Sequence, residues 1–276
     1  MRETDLALAD GRSLHVYDSG GDGPVVLWHH GTPNIGTPPR PLFPAGDRLG
    51  VRWVGYDRPG YGGSGARPGR SVGSAAEDVR AVADALGIGR FGVLGHSGGG
   101  PHALACAALL PDRVTAAVSV SGLAPYEPEA ARDWFAGMTP SGEAGLRAAV
   151  RGRAAKEAHE ASAGYDPEMF TPADHAALAG DWAWFDEVVG PALADGPGGL
   201  VDDDLAYVAP WGFRPEEAAV PVLLLHGERD RVVPVAHAHR LAARCPAAEL
   251  RLGAGDGHLS VLREAGAALE WLAGRA

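Results

Sequence analysis

The chain has 276 residues, which suits one large α/β domain or a domain that carries an inserted lid. Its 24 basic and 35 acidic residues leave a formal charge of −11, which argues against nucleic-acid partners and against an anionic membrane surface. No apolar run approaches the length of a membrane span, and no apolar segment follows the charged N-terminus, so we expect a soluble protein of the cytoplasm.

Cysteine and lysine are both rare in this sequence. Cys106 and Cys245 lie far apart, and the first falls in a predicted helix, so we expect two free thiols and no disulfide framework. Lys156 is the only lysine, whereas arginine, alanine and glycine are abundant. This bias indicates a GC-rich genome, and we expect a bacterial source.

The first third of the chain reads as a hairpin followed by buried strands. Residues 6–9 and 13–17 flank a turn at Asp10-Gly11-Arg12, which predicts a β-hairpin. Residues 25–28 are a continuous apolar run, typical of a strand that is buried on both faces. A loop rich in glycine and proline is expected from there to Pro44. Residues 51–56 are the next strand, and a glycine-rich turn follows it at 57–65.

Strands and helices then alternate along the chain. Helical spacing covers residues 74–86, 102–110, 235–244 and 259–272, and further strand patterns cover 91–94, 114–121, 221–226 and 249–252. This alternation predicts a mostly parallel, doubly wound sheet with helices on both faces. Ligands are expected at the carboxyl ends of the strands.

The alternation stops between the sixth and seventh strands. We therefore assign residues 1–122 and 221–276 to the α/β core, and residues 123–220, here called the insertion, to a helical lid. Its helices are expected at residues 129–137, 142–162, 171–179, 181–194 and 202–208. The run Asp202-Asp203-Asp204 is interpreted as a solvated helix start rather than a metal site.

The insertion is rich in aromatic residues. Most aromatic side chains there are expected to pack the insertion onto the core. A few could instead line an apolar substrate pocket. The substrate-binding candidates are Trp134, Phe135, Trp182, Phe185 and Trp211.

Ser97 lies in the sequence Gly95-His96-Ser97-Gly98-Gly99, between a predicted strand and a predicted helix. A Gly-x-Ser-x-Gly turn in this context holds its serine in a strained conformation, at a cost of about 1–3 kcal/mol, and exposes the hydroxyl above the sheet. The Gly98 amide then lies at the start of a helix, where it can bind an oxyanion.

A serine nucleophile needs a base and an orienting acid. Asp230 follows the strand at 221–226, and His258 follows the strand at 249–252, so both belong to the same edge of the sheet. Glu228 and Asp256 are alternatives to Asp230. No metal site is expected, because His237 and His239 face apart on a helix.

These motifs together resemble the α/β-hydrolase family, over nearly the whole chain. The resemblance implies a triad of Ser97, Asp230 and His258, in the order that the family uses. His30-Gly31-Thr32-Pro33 resembles the oxyanion loop, so the Thr32 amide would join that of Gly98. The insertion stands where the family carries its lid.

We expect a carboxylesterase-like enzyme that cleaves a small to medium ester, thioester or lactone through an acyl-enzyme on Ser97, without metal or organic cofactor. The serine argues against epoxide or haloalkane chemistry, which needs a carboxylate nucleophile. A proline iminopeptidase-like aminopeptidase is the main alternative. It would need an acidic cluster in the lid to hold a substrate ammonium, and the candidates are Glu127, Glu129, Asp202, Asp203 and Asp204. A cofactor-free lyase or biosynthetic enzyme and a binding protein without turnover are the others. The expected partner is a small ester-type molecule, and the chain is a monomer or a homodimer.

Overall fold

Eight strands form one sheet in the computed structural model, which describes residues 1–276. In chain order they are β1 (Arg2–Ala7), β2 (Ser13–Asp18), β3 (Val25–His29), β4 (Arg52–Tyr56), β5 (Phe91–His96), β6 (Val114–Val120), β7 (Val222–Gly227) and β8 (Ala248–Gly253). They are arranged as β1-β2-β4-β3-β5-β6-β7-β8. β1 and β2 are antiparallel to their neighbours, and all other pairs are parallel, so the predicted mostly parallel sheet is confirmed.

Helices cover both faces of the sheet. The helices are α1 (Phe43–Leu49), α2 (Ala75–Ala85), α3 (Gly99–Leu109), α4 (Ala131–Phe135), α5 (Pro140–Val150), α6 (Arg153–Glu160), α7 (Pro172–Leu178), α8 (Phe185–Ala192), α9 (Gly198–Tyr207), α10 (Ala236–Arg244) and α11 (Ala265–Ala273). Because successive strand residues point to opposite faces, Val93 joins the core under α2 and α3, while Leu94 joins the core under α1 and α11. The sheet is therefore doubly wound.

Two elements near the N-terminus differ from their predictions. β1 begins at Arg2 rather than at residue 6, because this exposed edge strand carries charged residues instead of an apolar alternation. α1 was not predicted: it begins at the end of the expected loop and continues through residues 45–49, where no element was expected. Pro44 occupies its first turn, where proline is tolerated, and Gly46 lets the helix approach Trp53, whose Nε1 would lie 2.6 Å from an added Cβ.

Helices α4–α9 lie in the insertion. The single helix predicted at 142–162 is two helices, because Gly152 has a φ of 102° and ends the helical path between α5 and α6. The division of the chain into a core and a lid domain stays a prediction. None of the helices in the structure combines the length and the apolar character needed to cross a membrane.

The three aspartates predicted as a solvated helix start lie instead in the middle of α9. The helix begins earlier, at Gly198 and Gly199. A Cβ at Gly199 would lie 2.7 Å from Gly60 O and 2.9 Å from the Tyr61 ring, so this glycine allows α9 to pack against the loop after β4. That close approach buries Asp203 completely. The interpretation as a solvated helix start is therefore wrong: all three aspartates lie inside α9, and Asp202 and Asp203 are buried.

Candidate active site

Ser97 occupies the tight turn between β5 and α3. Its φ is 53°, a left-handed conformation that is uncommon for any residue other than glycine. A Cβ at Gly95 would overlap Gly99 O, and a Cβ at Gly99 would overlap His29 O and lie 2.7 Å from His30 O. Both glycines are therefore required by close backbone contacts, and the turn raises the Ser97 hydroxyl at the carboxyl edge of the sheet.

The loops after β7 and β8 bring an acid and a base to this hydroxyl. His258 Nε2 lies 2.9 Å from Ser97 Oγ, and His258 Nδ1 lies 2.8 Å from Asp230 Oδ2. Asp230 Oδ1 accepts hydrogen bonds from the amides of Val232 and Val233 at 2.9 and 2.8 Å. The three residues predicted as a triad thus form one chain of hydrogen bonds.

Asp230 is the acid that contacts His258, and the two alternatives lie elsewhere. Glu228 is exposed, and Asp256 pairs with Arg263 at 3.0 Å. Burial alone would raise the pKa of Asp230, but the charge of His258 and hydrogen bonds from His226 and His258 outweigh burial and lower it below the ordinary range. Asp230 is therefore ionised at neutral pH, as an orienting acid must be.

His96 packs beside the site as a neutral side chain. Burial, helped by the nearby His258, lowers the pKa of His96 to about 3. Its Nε2 lies 3.2 Å from His258 O, and its ring centroid lies 5.1 Å from that of His258. The hydroxyl of Ser121 donates to the same carbonyl at 3.2 Å. These contacts hold the backbone of His258 against the core.

The two predicted oxyanion residues face the same cavity as Ser97. Thr32 and Gly98 both line it, and neither amide donates to a carbonyl among the turn and loop hydrogen bonds of the chain. Gly98 also precedes α3, whose N-terminus favours negative charge. His30 supports the loop from behind, since its Nε2 accepts from the Arg58 amide at 3.0 Å and its Nδ1 donates to Gly31 O at 2.7 Å.

The side chain of Thr32 is held by α9. Its hydroxyl donates to Asp203 Oδ2 at 2.5 Å and lies 2.8 Å from the hydroxyl of Tyr207. Tyr207 in turn donates to Gly98 O at 3.0 Å. Asp203 and Tyr207 are four residues apart and therefore share one face of α9. One helix of the insertion thus contacts both residues that are predicted to bind the oxyanion.

Asp203 is the centre of a buried ionic cluster, here called the Asp203 cluster. Its carboxylate pairs with Arg58 Nη2 at 2.6 Å and with Arg70 Nη1 at 2.6 Å, and it accepts from the Tyr61 hydroxyl at 2.8 Å. Burial opposes ionisation, but the charges of Arg58 and Arg70 outweigh it and keep the pKa of Asp203 well below its usual value. Arg58 also donates to His30 O and Gly31 O, so the cluster extends to the backbone of the predicted oxyanion loop.

A cavity of about 370 Å³ lies beside Ser97, between the core and the insertion. This volume suits a small or medium ligand. Part of its wall is apolar and comes from Leu123, Leu146, Met169, Leu200, Val232 and Val233.

Another part of the wall is charged. Lys156 Nζ lies 2.6 Å from Glu160 Oε1 and 2.5 Å from Asp204 Oδ2. Burial would lower the pKa of Lys156, but Asp204 and Glu160 outweigh it and raise the pKa. With Asp166, the lining carries one lysine against three carboxylates, a formal excess of two negative charges.

The five aromatic residues predicted to bind substrate do not line this cavity, which corrects that prediction. All five are buried and pack the insertion onto the core or onto itself: Trp134, Phe135, Trp182, Phe185 and Trp211. Trp134 donates to Ala124 O at 2.8 Å, and Trp211 donates to Tyr207 O at 3.1 Å. Because large apolar side chains gain most from complete burial, the aromatic content marks the packing surface instead of the cavity.

Sequence reasoning missed the polar residues that the insertion brings to the site. Lys156 and Tyr207 were not singled out as site residues, and the aspartates of α9 were interpreted as solvated. Two signals were present: the only lysine of the chain, and a run of three acids in an otherwise apolar segment. Neither signal shows which side chain points inward, because that depends on how α6 and α9 pack.

Known proteins resemble this chain in sequence and in fold. A family model described as alpha/beta hydrolase fold matches residues 24–156. A protein of Caulobacter segnis named "Putative carbamate hydrolase RutD" is 30% identical over 258 residues, which cover 90% of this chain and 85% of that protein. An epoxide hydrolase of Caballeronia sordidicola is 35% identical over 124 residues, 44% of this chain and 37% of that one. The enol-lactonase of Burkholderia xenovorans LB400 has a similar fold, with a TM-score of 0.71, 22% identity and 97% coverage of both chains.

Proposed function

The chain belongs to the α/β-hydrolase family, and on that premise we propose that it is a serine hydrolase that cleaves a small to medium carboxylic ester. The observation that carries the proposal is the chain of hydrogen bonds from Ser97 Oγ through His258 to Asp230, at 2.9 and 2.8 Å, with Ser97 lining the cavity. A nucleophile, a base and an orienting acid in contact are the geometric requirements for acyl transfer.

In the first step, Ser97 Oγ attacks the ester carbonyl while His258 Nε2 takes the hydroxyl proton. Asp230 accepts a hydrogen bond from His258 Nδ1, which keeps Nε2 free as the acceptor and stabilises the positive charge that forms on the ring. The amides of Thr32 and Gly98 are assigned to the oxyanion of the tetrahedral intermediate, where each preorganised donor typically contributes about 3–4 kcal/mol.

In the second step, His258 gives its proton to the leaving alkoxide, and an acyl-enzyme remains on Ser97. Water enters, His258 removes its proton, and the resulting hydroxide equivalent attacks the acyl carbonyl. Collapse of the second intermediate releases the carboxylic acid and restores the Ser97 hydroxyl. All of these proton transfers use one imidazole nitrogen, His258 Nε2.

Epoxide opening is not favoured, although one relative is named an epoxide hydrolase. Alkyl transfer requires a carboxylate nucleophile, and the turn between β5 and α3 presents the hydroxyl of Ser97. The similarity to that relative covers less than half of this chain. Carbonyl chemistry therefore fits the nucleophile better, and esters and lactones are the substrates with the best leaving groups.

A second candidate is hydrolysis of a small substrate that carries an amino group, as in the aminopeptidase alternative. The observation that favours it is the excess of carboxylates in the cavity lining, among them Glu160, Asp166 and Asp204. Of the acids considered for this role from sequence, only Asp204 lines the cavity.

The protein is proposed to act on a small molecule in the cytoplasm.

The test is hydrolysis of p-nitrophenyl acetate, butyrate and octanoate, with proline and alanine p-nitroanilides in parallel. We expect ester turnover by the native chain and a loss of about 10³-fold or more in Ser97→Ala. Ser162→Ala, which alters an exposed serine, is the matched control and keeps full activity. Anilide turnover above ester turnover would favour the second candidate. No turnover on either panel by the folded native chain would favour a lyase or a binding protein.

A further inference from the structure

Asp174 is a buried carboxylate at the start of α7, in the insertion. Its side chain is fully inaccessible to solvent, although the first turn of a surface helix normally leaves such a group partly exposed. Burial would raise the pKa of Asp174, but hydrogen bonds from the amides of Ser260, Thr171 and Leu259 outweigh burial and lower it. The carboxylate is therefore held ionised by a set of donors, and those donors come from two different parts of the chain.

The two oxygens of Asp174 have separate partners. Oδ2 accepts from the amide and the hydroxyl of Thr171, at 2.9 and 2.8 Å, and so completes the capping box of α7. Oδ1 accepts from the amides of Leu259 and Ser260, both at 2.8 Å, and from the Ser260 hydroxyl at 2.9 Å. Helix capping accounts for the first set of contacts, those of Oδ2. It does not account for the second set, those of Oδ1, because Leu259 and Ser260 lie outside α7.

The second set of contacts encloses His258. Leu259 and Ser260 directly follow the histidine, and the Ser260 hydroxyl also accepts from the amide of Gly257, directly before it, at 2.7 Å. A Cβ on Gly257 would lie 2.7 Å from Asp174 Oδ1 and would overlap its other oxygen, so the loop packs directly on the carboxylate. The backbone on both sides of His258 is thus tied to one side chain of the insertion.

We propose that Asp174 is a positioning residue, which fixes the His258 loop so that Nε2 meets Ser97 Oγ. The acceptor-only carboxylate can serve five donors at once, and its charge strengthens each hydrogen bond. Asp174 lies 85 positions before Leu259 and 86 positions before Ser260. Packing of α7 against the core and alignment of His258 therefore depend on the same carboxylate. The insertion then does more than cover the cavity, because it holds the catalytic base in place.

This inference rests on the proposed function for its kinetic consequence only. The structural consequence is independent of any substrate, because it concerns the hydrogen bond between His258 Nδ1 and Asp230. The proton in that bond is expected to give a far-downfield ¹H NMR signal in water. Loss of order in the His258 loop broadens or removes that signal.

The test compares four variants with the native chain: Asp174→Ala, Asp174→Asn, Ser260→Ala and Thr171→Val. Asp174→Ala removes both sets of contacts, whereas Thr171→Val removes only the two hydroxyl contacts of the cap and leaves the three contacts of Oδ1 with the loop. Asp174→Asn keeps one side-chain oxygen that can accept hydrogen bonds from the His258 loop. Ser260→Ala removes only the hydroxyl that links Gly257 to Asp174 and is the variant to use if Asp174→Ala does not fold.

We expect Asp174→Ala to lower kcat on a p-nitrophenyl ester about 10- to 100-fold with KM changed less than about threefold, since a small misplacement of a catalytic group has effects of this size. The downfield signal should weaken in parallel. Ser260→Ala should show the same pattern more mildly, Asp174→Asn should recover part of kcat, and Thr171→Val should lose thermal stability while keeping kcat and the signal.

An unchanged kcat and an unchanged downfield signal in folded Asp174→Ala or Ser260→Ala would overturn the proposal. An equal loss of kcat in Thr171→Val would also overturn it, because the effect would then follow helix stability alone. If the native chain hydrolyses no ester, the proposed function fails, and the NMR signal of the same variants still decides whether Asp174 holds the His258 loop.

Discussion

Thr32 Oγ1 donates a hydrogen bond to Asp203 Oδ2 at 2.5 Å and so joins two residues that are 171 positions apart. Thr32 belongs to the loop assigned to the oxyanion, and Asp203 belongs to α9 of the insertion. Because Asp203 also pairs with Arg58 and Arg70, the loop rests on a charged cluster that is closed to solvent. Stability of the fold and order of the oxyanion loop should therefore change together.

Asp203→Ala should lower the free energy of unfolding by about 3–5 kcal/mol, because it leaves two buried guanidinium groups without their carboxylate. Urea unfolding monitored by circular dichroism measures the change. Glu187→Ala is the matched control: Glu187 of α8 pairs with Arg40, and both side chains are more than half exposed, so the expected loss is at most about 1 kcal/mol. Equal losses in the two variants would contradict a special role for the Asp203 cluster.

Tyr207→Phe should lower kcat about tenfold with little change in KM, because it removes the hydroxyl that contacts Thr32 Oγ1 and Gly98 O. The ring remains and keeps the cavity wall intact. Steady-state hydrolysis of p-nitrophenyl butyrate provides the measurement. A rise in KM at constant kcat would assign Tyr207 to substrate binding instead of to the order of the oxyanion loop.

The free energy of unfolding should fall as the pH drops below about 6.5, the ordinary pKa of histidine. Burial lowers the pKa of His96, His102 and His237 to about 3. Between these values the unfolded chain binds protons that the folded chain does not bind, so acid favours unfolding. Each histidine should contribute a loss of about 1 kcal/mol between pH 7.5 and 5.5.

Urea unfolding at the two pH values tests this, with His237→Gln as the informative variant. It removes one of the five buried histidines whose pKa is lowered by burial, which also include His29 and His30, and should reduce the loss by about 1 kcal/mol. His239→Gln changes an exposed histidine of the same helix and is the control for the substitution itself. An identical pH dependence in His237→Gln and the native chain would show that His237 does not titrate in this way.

The cavity should select against anionic substrates. Its lining carries an excess of two negative charges, so an ester whose acyl chain ends in a carboxylate should react roughly tenfold more slowly than its neutral counterpart. Lys156→Met should increase this discrimination, because it leaves Glu160 and Asp204 without their cation. Values of kcat/KM for p-nitrophenyl hemisuccinate and butyrate give the comparison, and a preference for the hemisuccinate would refute it.

The arrangement of the core could be predicted because its signals are local. The strand before Ser97, the glycines around it and the positions of Asp230 and His258 after strands are all readable as short patterns. Parallel strands place their carboxyl ends at one edge, so sequence order alone brings these loops together. The same reasoning located β3 to β8 to within a few residues.

The insertion could not be predicted in the same detail, because its side chains are oriented by packing. Trp134 and Trp182 are apolar and large, so they enter the core, whereas Lys156 reaches the cavity only because Glu160 and Asp204 neutralise it. The contact of Asp174 with the His258 loop spans 85 positions, and no local pattern indicates it. The sequence Thr171-Pro172-Ala173-Asp174 is typical of a capping box, but nothing in it indicates that Asp174 also contacts the His258 loop.

The most direct test of the central claim is mass spectrometry of the chain during turnover of p-nitrophenyl butyrate, with rapid acid quenching. We predict a burst of one p-nitrophenol per active chain and a butyryl group on the peptide that contains Ser97, and we predict neither in Ser97→Ala. Steady ester hydrolysis by Ser97→Ala, or a butyryl group on a different residue in the native chain, would contradict the account.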